Sequence, residues 1–200
     1  MVKHYFLEEE HSEQDFFIIS QIIADEQYRF YSADNVFSKD SVDYGTFVLL
    51  NTILKTQKVS GKVLDIGCGY GVIGIVLAKN FPATQICLTD VNQTAVELSQ
   101  KNIQLNDIKN IYCIKKSFAY ENIDETFDYI VSNPPIKAGK KVLQDILFGA
   151  YDHLNSNGKL IFVIKKKFGE DSIKKQLEKM FSAVEILKRD SGYYILMATK

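Results

Sequence analysis

The stretch Val63-Leu64-Asp65-Ile66-Gly67-Cys68-Gly69-Tyr70-Gly71 reads as a short buried strand running into a glycine-rich turn, and Val72 to Asn80 behind it as an apolar helix. Strand, glycine turn and helix in that order open an α/β sheet. Gly67, Gly69 and Gly71 lack a Cβ, so their backbone can lie against a ligand and the turn can visit positive φ. Downstream the alternation continues. Gln85 to Asp90 is a second strand, Thr94 to Leu105 a helix, Ile111 to Ile114 a third strand, and Asp128 to Ser132 a fourth that two prolines stop. Val142 to Leu154 is helical, Lys159 to Ile164 is a fifth strand, and Ser172 to Phe181 is a lysine-rich helix. Val184–Leu187 and Tyr193–Met197 close the chain as strands. Their connection, Lys188 to Gly192, is far too short for a parallel crossover, so these two must pair antiparallel. The expected fold is a doubly wound, mostly parallel seven-stranded sheet that ends in an antiparallel hairpin.

Upstream, Asp15 to Ile23 is rich in β-branched and aromatic residues, Ala24-Asp25-Glu26 is polar enough to turn, and Gln27 to Tyr31 alternates again. This predicts a β-hairpin. Val36 to Asp40 is a connector. Asp43 is placed to cap a helix whose apolar positions Phe47, Val48, Leu50, Ile53 and Leu54 recur at helical spacing. Residues 1–45 therefore read as a β-rich extension and residues 46–200 as the main domain, together one compact unit.

Two hundred residues with 46% hydrophobic content suit one globular domain and argue against disorder. No apolar run reaches the roughly 18 residues that span a bilayer. Met1 to Asp15, with Glu8-Glu9-Glu10, has no apolar core of a signal peptide, so a cytoplasmic location is expected. Cys68, Cys87 and Cys113 are an odd number without a CxxC, which predicts reduced core thiols and no metal. The net charge of −1 is unevenly spread: Met1–Ser60 carries about −5 and Lys137–Lys200 about +6. Phosphate contacts need a local basic surface rather than a basic average.

The glycine turn falls at the carboxyl end of its strand, where ligands bind in such sheets. Gly69-Tyr70-Gly71-Val72-Ile73-Gly74 matches the dinucleotide pattern GxGxxG, and Asp90 follows Gly69 by 21 residues. However, Asp65 would set a negative charge beside a pyrophosphate, whereas it suits the cationic amino end of S-adenosylmethionine. Asp90, with Val91 beside it, would then accept from the ribose hydroxyls, and Ser117-Phe118 would lie at the adenine edge.

The second informative stretch is Asn133-Pro134-Pro135-Ile136, on the same rim, about 60 residues after the glycines. An exocyclic amine on a base is a poor nucleophile because its lone pair is delocalised into the ring. The Asn133 side-chain carbonyl and the Pro134 backbone carbonyl could accept from both N–H groups and free that lone pair. The prolines would hold those acceptors in place beforehand.

Asp65 to Gly71, Asp90 and Ser132-Asn133-Pro134-Pro135-Ile136-Lys137-Ala138-Gly139-Lys140 resemble the "methyltransferase small" domain family of class I S-adenosylmethionine-dependent methyltransferases. The resemblance extends to Val36-Phe37-Ser38-Lys39-Asp40 with Asp43 and Gly45, and to Gly192-Tyr193. It implies a Rossmann-like fold and a cofactor pocket covered by the Phe37–Gly45 segment, with Phe37 and Ser38 in its lining. It also implies N-methylation of a nucleobase, guanine N2 in ribosomal RNA first among the candidates. Two departures stand out. Many relatives have an aromatic residue after the two prolines, which stacks on the flipped base; here it is Ile136. The best-known ribosomal RNA members also carry an additional related domain. RNA or the small ribosomal subunit would then meet the hairpin, the lysines Lys137, Lys140 and Lys141, and Lys165-Lys166-Lys167; a homodimer could replace the missing half. The other readings are a release-factor-type protein glutamine methyltransferase and a non-catalytic RNA- or ribosome-binding protein.

Overall fold

The computed structural model describes residues 16–166 and 170–200; the expectations for Met1–Asp15 and for Lys167 lie outside them. The described chain forms nine strands and five α-helices: β1 (Phe17–Ile23), β2 (Glu26–Ser32), α1 (Tyr44–Thr56), β3 (Gly61–Ile66), α2 (Val72–Asn80), β4 (Thr84–Asp90), α3 (Gln93–Leu105), β5 (Ile111–Lys116), β6 (Phe127–Ser132), α4 (Lys140–His153), β7 (Leu154–Lys165), α5 (Glu170–Leu177), β8 (Ala183–Asp190) and β9 (Tyr193–Thr199). Seven strands make one sheet in the order β5-β4-β3-β6-β7-β9-β8. β5, β4, β3, β6 and β7 run parallel, and β9 pairs antiparallel with both β7 and β8. The strand order reverses between β4 and β6 on either side of β3, so β3 leads into the switch point of the sheet.

Val63, Leu64 and Ile66 on β3 are buried on both faces of the sheet, as a central parallel strand requires. One face packs Val63 with Leu49, Ile53, Ile75, Leu77 and Leu98. The other packs Leu64 with Phe127, Leu147, Phe162 and Leu196.

The N-terminal hairpin forms its own two-stranded sheet, β1 against β2. Its two-residue turn has Ala24 and Asp25 both at positive φ, 50° and 66°, the geometry that matches strand twist. The hairpin is part of the main body rather than a satellite: Tyr28 and Phe30 are fully buried in the same cluster as Val63 and Ile75. Asn102 on α3 fastens it. Its Oδ1 accepts from the Tyr31 amide at 2.6 Å, and its Nδ2 donates to the carbonyls of Tyr31 at 3.0 Å and Tyr70 at 2.8 Å. One buried amide thus ties hairpin, helix and glycine turn together. Asn102→Leu keeps the volume but strands these three backbone groups, so urea denaturation should show a loss of about 3 kcal/mol.

Several boundaries differ from the expected ones. β7 begins at Leu154, five residues before the predicted Lys159, because its first residues pair with Phe127 on β6. A single 3-10 turn, Ile136–Ala138, follows the prolines. Cys87 and Cys113 stand opposite each other in the β4–β5 register, with Cα atoms 4.4 Å apart, and Cys68 is buried away from them.

Candidate active site

β3, β4, β5 and β6 deliver their carboxyl ends to one cavity of about 460 Å³, closed on its far side by the connector that leads into α1. Gly67, Cys68 and Gly69 after β3 line it, as do Asp90 and Val91 after β4 and Ser117 and Phe118 after β5. Asn133, Pro134, Pro135, Ile136 and Lys137 after β6, and Phe37 and Ser38 from the connector, line it as well. Glycine turn and Asn-Pro-Pro turn therefore share one cleft, and a Cβ on Gly67 would stand 3.9 Å from Pro135 Cδ.

Three predicted residues do not line the cavity. Lys140 is exposed at the start of α4. Gly71 sits at φ 92° as the N-cap of α2, where a Cβ would meet Ser99 Oγ at 3.1 Å and Ile75 at 3.2 Å. Asp65 is completely buried beneath the turn. Its Oδ2 accepts from the Gly74 amide at 2.8 Å, holding the first turn of α2 against β3, while its Oδ1 has no partner among the described residues.

Burial pushes the Asp65 carboxyl up to about 7, opposed by the Gly74 amide and aided by the charge of Asp90. A carboxyl with a raised folded pKa binds its proton more tightly folded than unfolded. Its contribution to stability is therefore lost as pH rises from about 4, the unfolded value, through about 7. Asp65→Asn does not ionise, so its melting temperature should gain on that of the native protein between about pH 5 and about pH 8.

Four of the turn amides are occupied. Gly67 N and Cys68 N donate to the Thr89 carbonyl at 2.8 and 2.9 Å, Gly71 N to the Cys68 carbonyl at 3.0 Å, and Gly69 N to Asp90 Oδ2 at 2.8 Å. The glycines supply room for close approach: a Cβ on Gly69 (φ +56°) would meet nothing within 4 Å. A turn with four of its amides used internally and the Asp90 carboxylate in the wall offers a pyrophosphate few donors and suits a cationic ligand. S-adenosylmethionine fits on these grounds, and the dinucleotide reading does not. Asp90 Oδ1 is held by the Asn92 amide at 2.8 Å, so both carboxylate oxygens are fixed and keep lone pairs free. Ser117 is the weaker part of the adenine expectation, because its hydroxyl donates to the Glu121 carbonyl at 2.6 Å. Burial, first among several causes, pushes the Cys68 thiol well up, so it is no nucleophile.

At the transfer end, Asn133 Nδ2 donates to Asp43 Oδ2 at 3.0 Å and to Thr46 Oγ1 at 2.9 Å. A carboxylate only accepts, so this bond fixes which end of the amide is which and turns the Asn133 carbonyl away from α1. The Pro135 carbonyl is used by the Ala138 amide, whereas the Pro134 carbonyl accepts no backbone bond outside the helices and strands among the described residues. The sequence reading missed Thr46, which is recognisable afterwards as the residue one turn after a capping Asp. It also missed Tyr70, whose hydroxyl donates to the Ser38 carbonyl at 3.3 Å and so holds the connector over the cavity. Tyr193 lines the wall beside Asn133, with Lys165 Nζ 4.7 Å from its ring centre. Phe37, 65% exposed, stands at the rim.

A seven-stranded sheet with this order and an antiparallel last hairpin, holding a pocket at its switch point, defines a class I methyltransferase. The pattern of the family described as "Methyltransferase small domain" matches residues 27–197, and the chain belongs to that family. S-adenosylmethionine is accordingly its methyl donor. The chain is 39% identical to "Uncharacterized protein YbxB" of Bacillus subtilis (strain 168) over the full length of both. It is 36% identical to "Ribosomal RNA small subunit methyltransferase C" of Serratia proteamaculans (strain 568) over 82% of this chain and 46% of that protein. Among solved structures it resembles the T. thermophilus 16S rRNA N2 G1207 methyltransferase (RsmC) in complex with AdoMet and guanosine. The TM-score is 0.82 and the identity 26%, covering 92% of this chain and 50% of that one. The chain thus spans about half the length of the ribosomal RNA methyltransferases it matches. No helix among the described residues is long and apolar enough to cross a membrane.

Proposed function

We propose that this enzyme methylates the exocyclic N2 amine of a guanine in small-subunit ribosomal RNA. The observation that carries the reading is the orientation of Asn133: its NH2 end is taken by Asp43 and Thr46, leaving its carbonyl as an acceptor beside the Pro134 carbonyl in the cofactor cleft. When bound, S-adenosylmethionine supplies an electrophilic methyl group on a sulfonium. The two carbonyls accept from the two amine N–H groups, draw the nitrogen toward tetrahedral geometry and aim its lone pair along the axis of displacement. The transferred methyl would leave the amine cationic and free to lose its proton to solvent, so the site needs no strong base.

Tyr193 and Phe37 supply the aromatic surface that Ile136 lacks. Exposed Lys137, Lys140 and Lys141 make a basic rim for phosphates. The ribosomal RNA methyltransferases among the relatives support this substrate over a protein glutamine. Incubating the protein with labelled S-adenosylmethionine and small ribosomal subunits, then digesting the RNA to nucleosides, should yield N2-methylguanosine. Label that protease releases and nuclease leaves would sink the RNA reading.

A further inference from the structure

Asp43 does more than cap α1. Its Oδ2 accepts from the Thr46 amide at 3.3 Å and from Asn133 Nδ2 at 3.0 Å. Its Oδ1 has no hydrogen-bond partner among the described residues, and the residue is half-buried in the cavity wall. A carboxylate is thus tethered through one oxygen to the amide that would hold the reacting amine, with the other oxygen free in the same wall. The bases differ at the atom beside that amine. Guanine carries N1–H, a donor, next to N2; adenine and cytosine carry a bare ring nitrogen, an acceptor, next to theirs. A free carboxylate oxygen attracts the first and repels the other two.

We infer that Asp43 is the specificity residue for guanine: its Oδ1 accepts from N1–H while Asn133 and Pro134 accept from the N2 amine. The assignment rests on the guanine reading above. It gives the site a base-selective element where the platform residue after the prolines is Ile136. Asp43 also keeps Asn133 in register, so one carboxylate both orients the activating amide and reads the base.

The discriminating variant is Asp43→Asn. Its carbonyl can still accept from Asn133 and from the Thr46 amide, and asparagine caps helices as well as aspartate does. Its NH2 then occupies the place of Oδ1 and presents a donor to N1. Calorimetry with S-adenosylhomocysteine-saturated protein would compare guanosine, inosine (N1–H and O6, no amine) and 2-aminopurine riboside (amine, no N1–H). The native protein should bind guanosine about tenfold or more tighter than 2-aminopurine riboside. In Asp43→Asn that ratio should fall to about twofold or invert, inosine should weaken with guanosine, and S-adenosylhomocysteine affinity should stay within about twofold. The assignment is overturned if guanosine does not bind the native protein, if the ratio survives the substitution, if all three ligands weaken alike, or if S-adenosylhomocysteine binding is lost. Formation of N2-methylguanosine in ribosomal subunits by the native protein is scored separately. Its presence with an unchanged ratio removes only the role of Asp43, and its absence removes the guanine reading itself.

Discussion

Asn133→Ala should lower kcat by about 10²- to 10³-fold while leaving S-adenosylmethionine affinity within about twofold. The side-chain carbonyl is one of two acceptors aimed at the amine, and it acts only once that nitrogen begins to pyramidalise. Removing it therefore costs transition-state stabilisation rather than ground-state binding. The substitution also frees Asp43 Oδ2 and Thr46 Oγ1, but Asp43 keeps the Thr46 amide and has solvent beside it, so the fold should survive. Single-turnover methyl transfer to ribosomal subunits, with calorimetry for the cofactor, separates the two quantities. If affinity and turnover fell together, Asn133 would be a cofactor ligand and the activation mechanism would fail.

Asp90→Ala should have the opposite signature, with S-adenosylmethionine affinity down by about 100-fold and the rate from saturated enzyme changed far less. The carboxylate sits in the wall with both oxygens fixed by backbone amides, Gly69 on one side and Asn92 on the other. That rigidity lets it meet a pair of ribose hydroxyls with little ordering cost. Its loss also releases the Gly69 amide, so the turn loosens where the ligand would lie. Asp90→Asn retains one accepting oxygen and should fall between the two. A calorimetric titration that left Asp90→Ala at native affinity would remove Asp90 from the cofactor site and leave it as a loop anchor alone.

These two signatures depend on features of unequal visibility in the chain. Val63–Ile66, the glycines and the alternating segments behind them show the doubly wound sheet, because a central parallel strand must be apolar on both faces and a turn at its end must be glycine-rich. The short connection between the last two strands, read as five residues and only Ser191 and Gly192 in the structure, forces their antiparallel pairing. Asn133-Pro134-Pro135 is legible because the prolines are local in their effect: they end β6 and hold the turn whatever packs around it. The identity of the cofactor-side carboxylates was only half legible. Asp65, next to last in β3, and Asp90, last in β4, are both expected at the cofactor, yet one is buried under the turn with a carboxyl pushed up to about 7 and the other opens into the cleft.

By itself the sequence determined the order of strands and helices, the two turns that meet at the switch point, and the type of chemistry those turns permit. All of these depend on neighbours within a few positions or on a repeating pattern of apolar residues. Only the tertiary structure decided that Asn133 is oriented by Asp43 and Thr46 from 90 and 87 residues away. It also decided that Asn102 clamps the hairpin to the glycine turn, and that four of the turn amides are bonded within the protein. Hydrogen bonds between distant side chains leave no periodicity to read, because their partners are chosen by how elements stack and not by chain order.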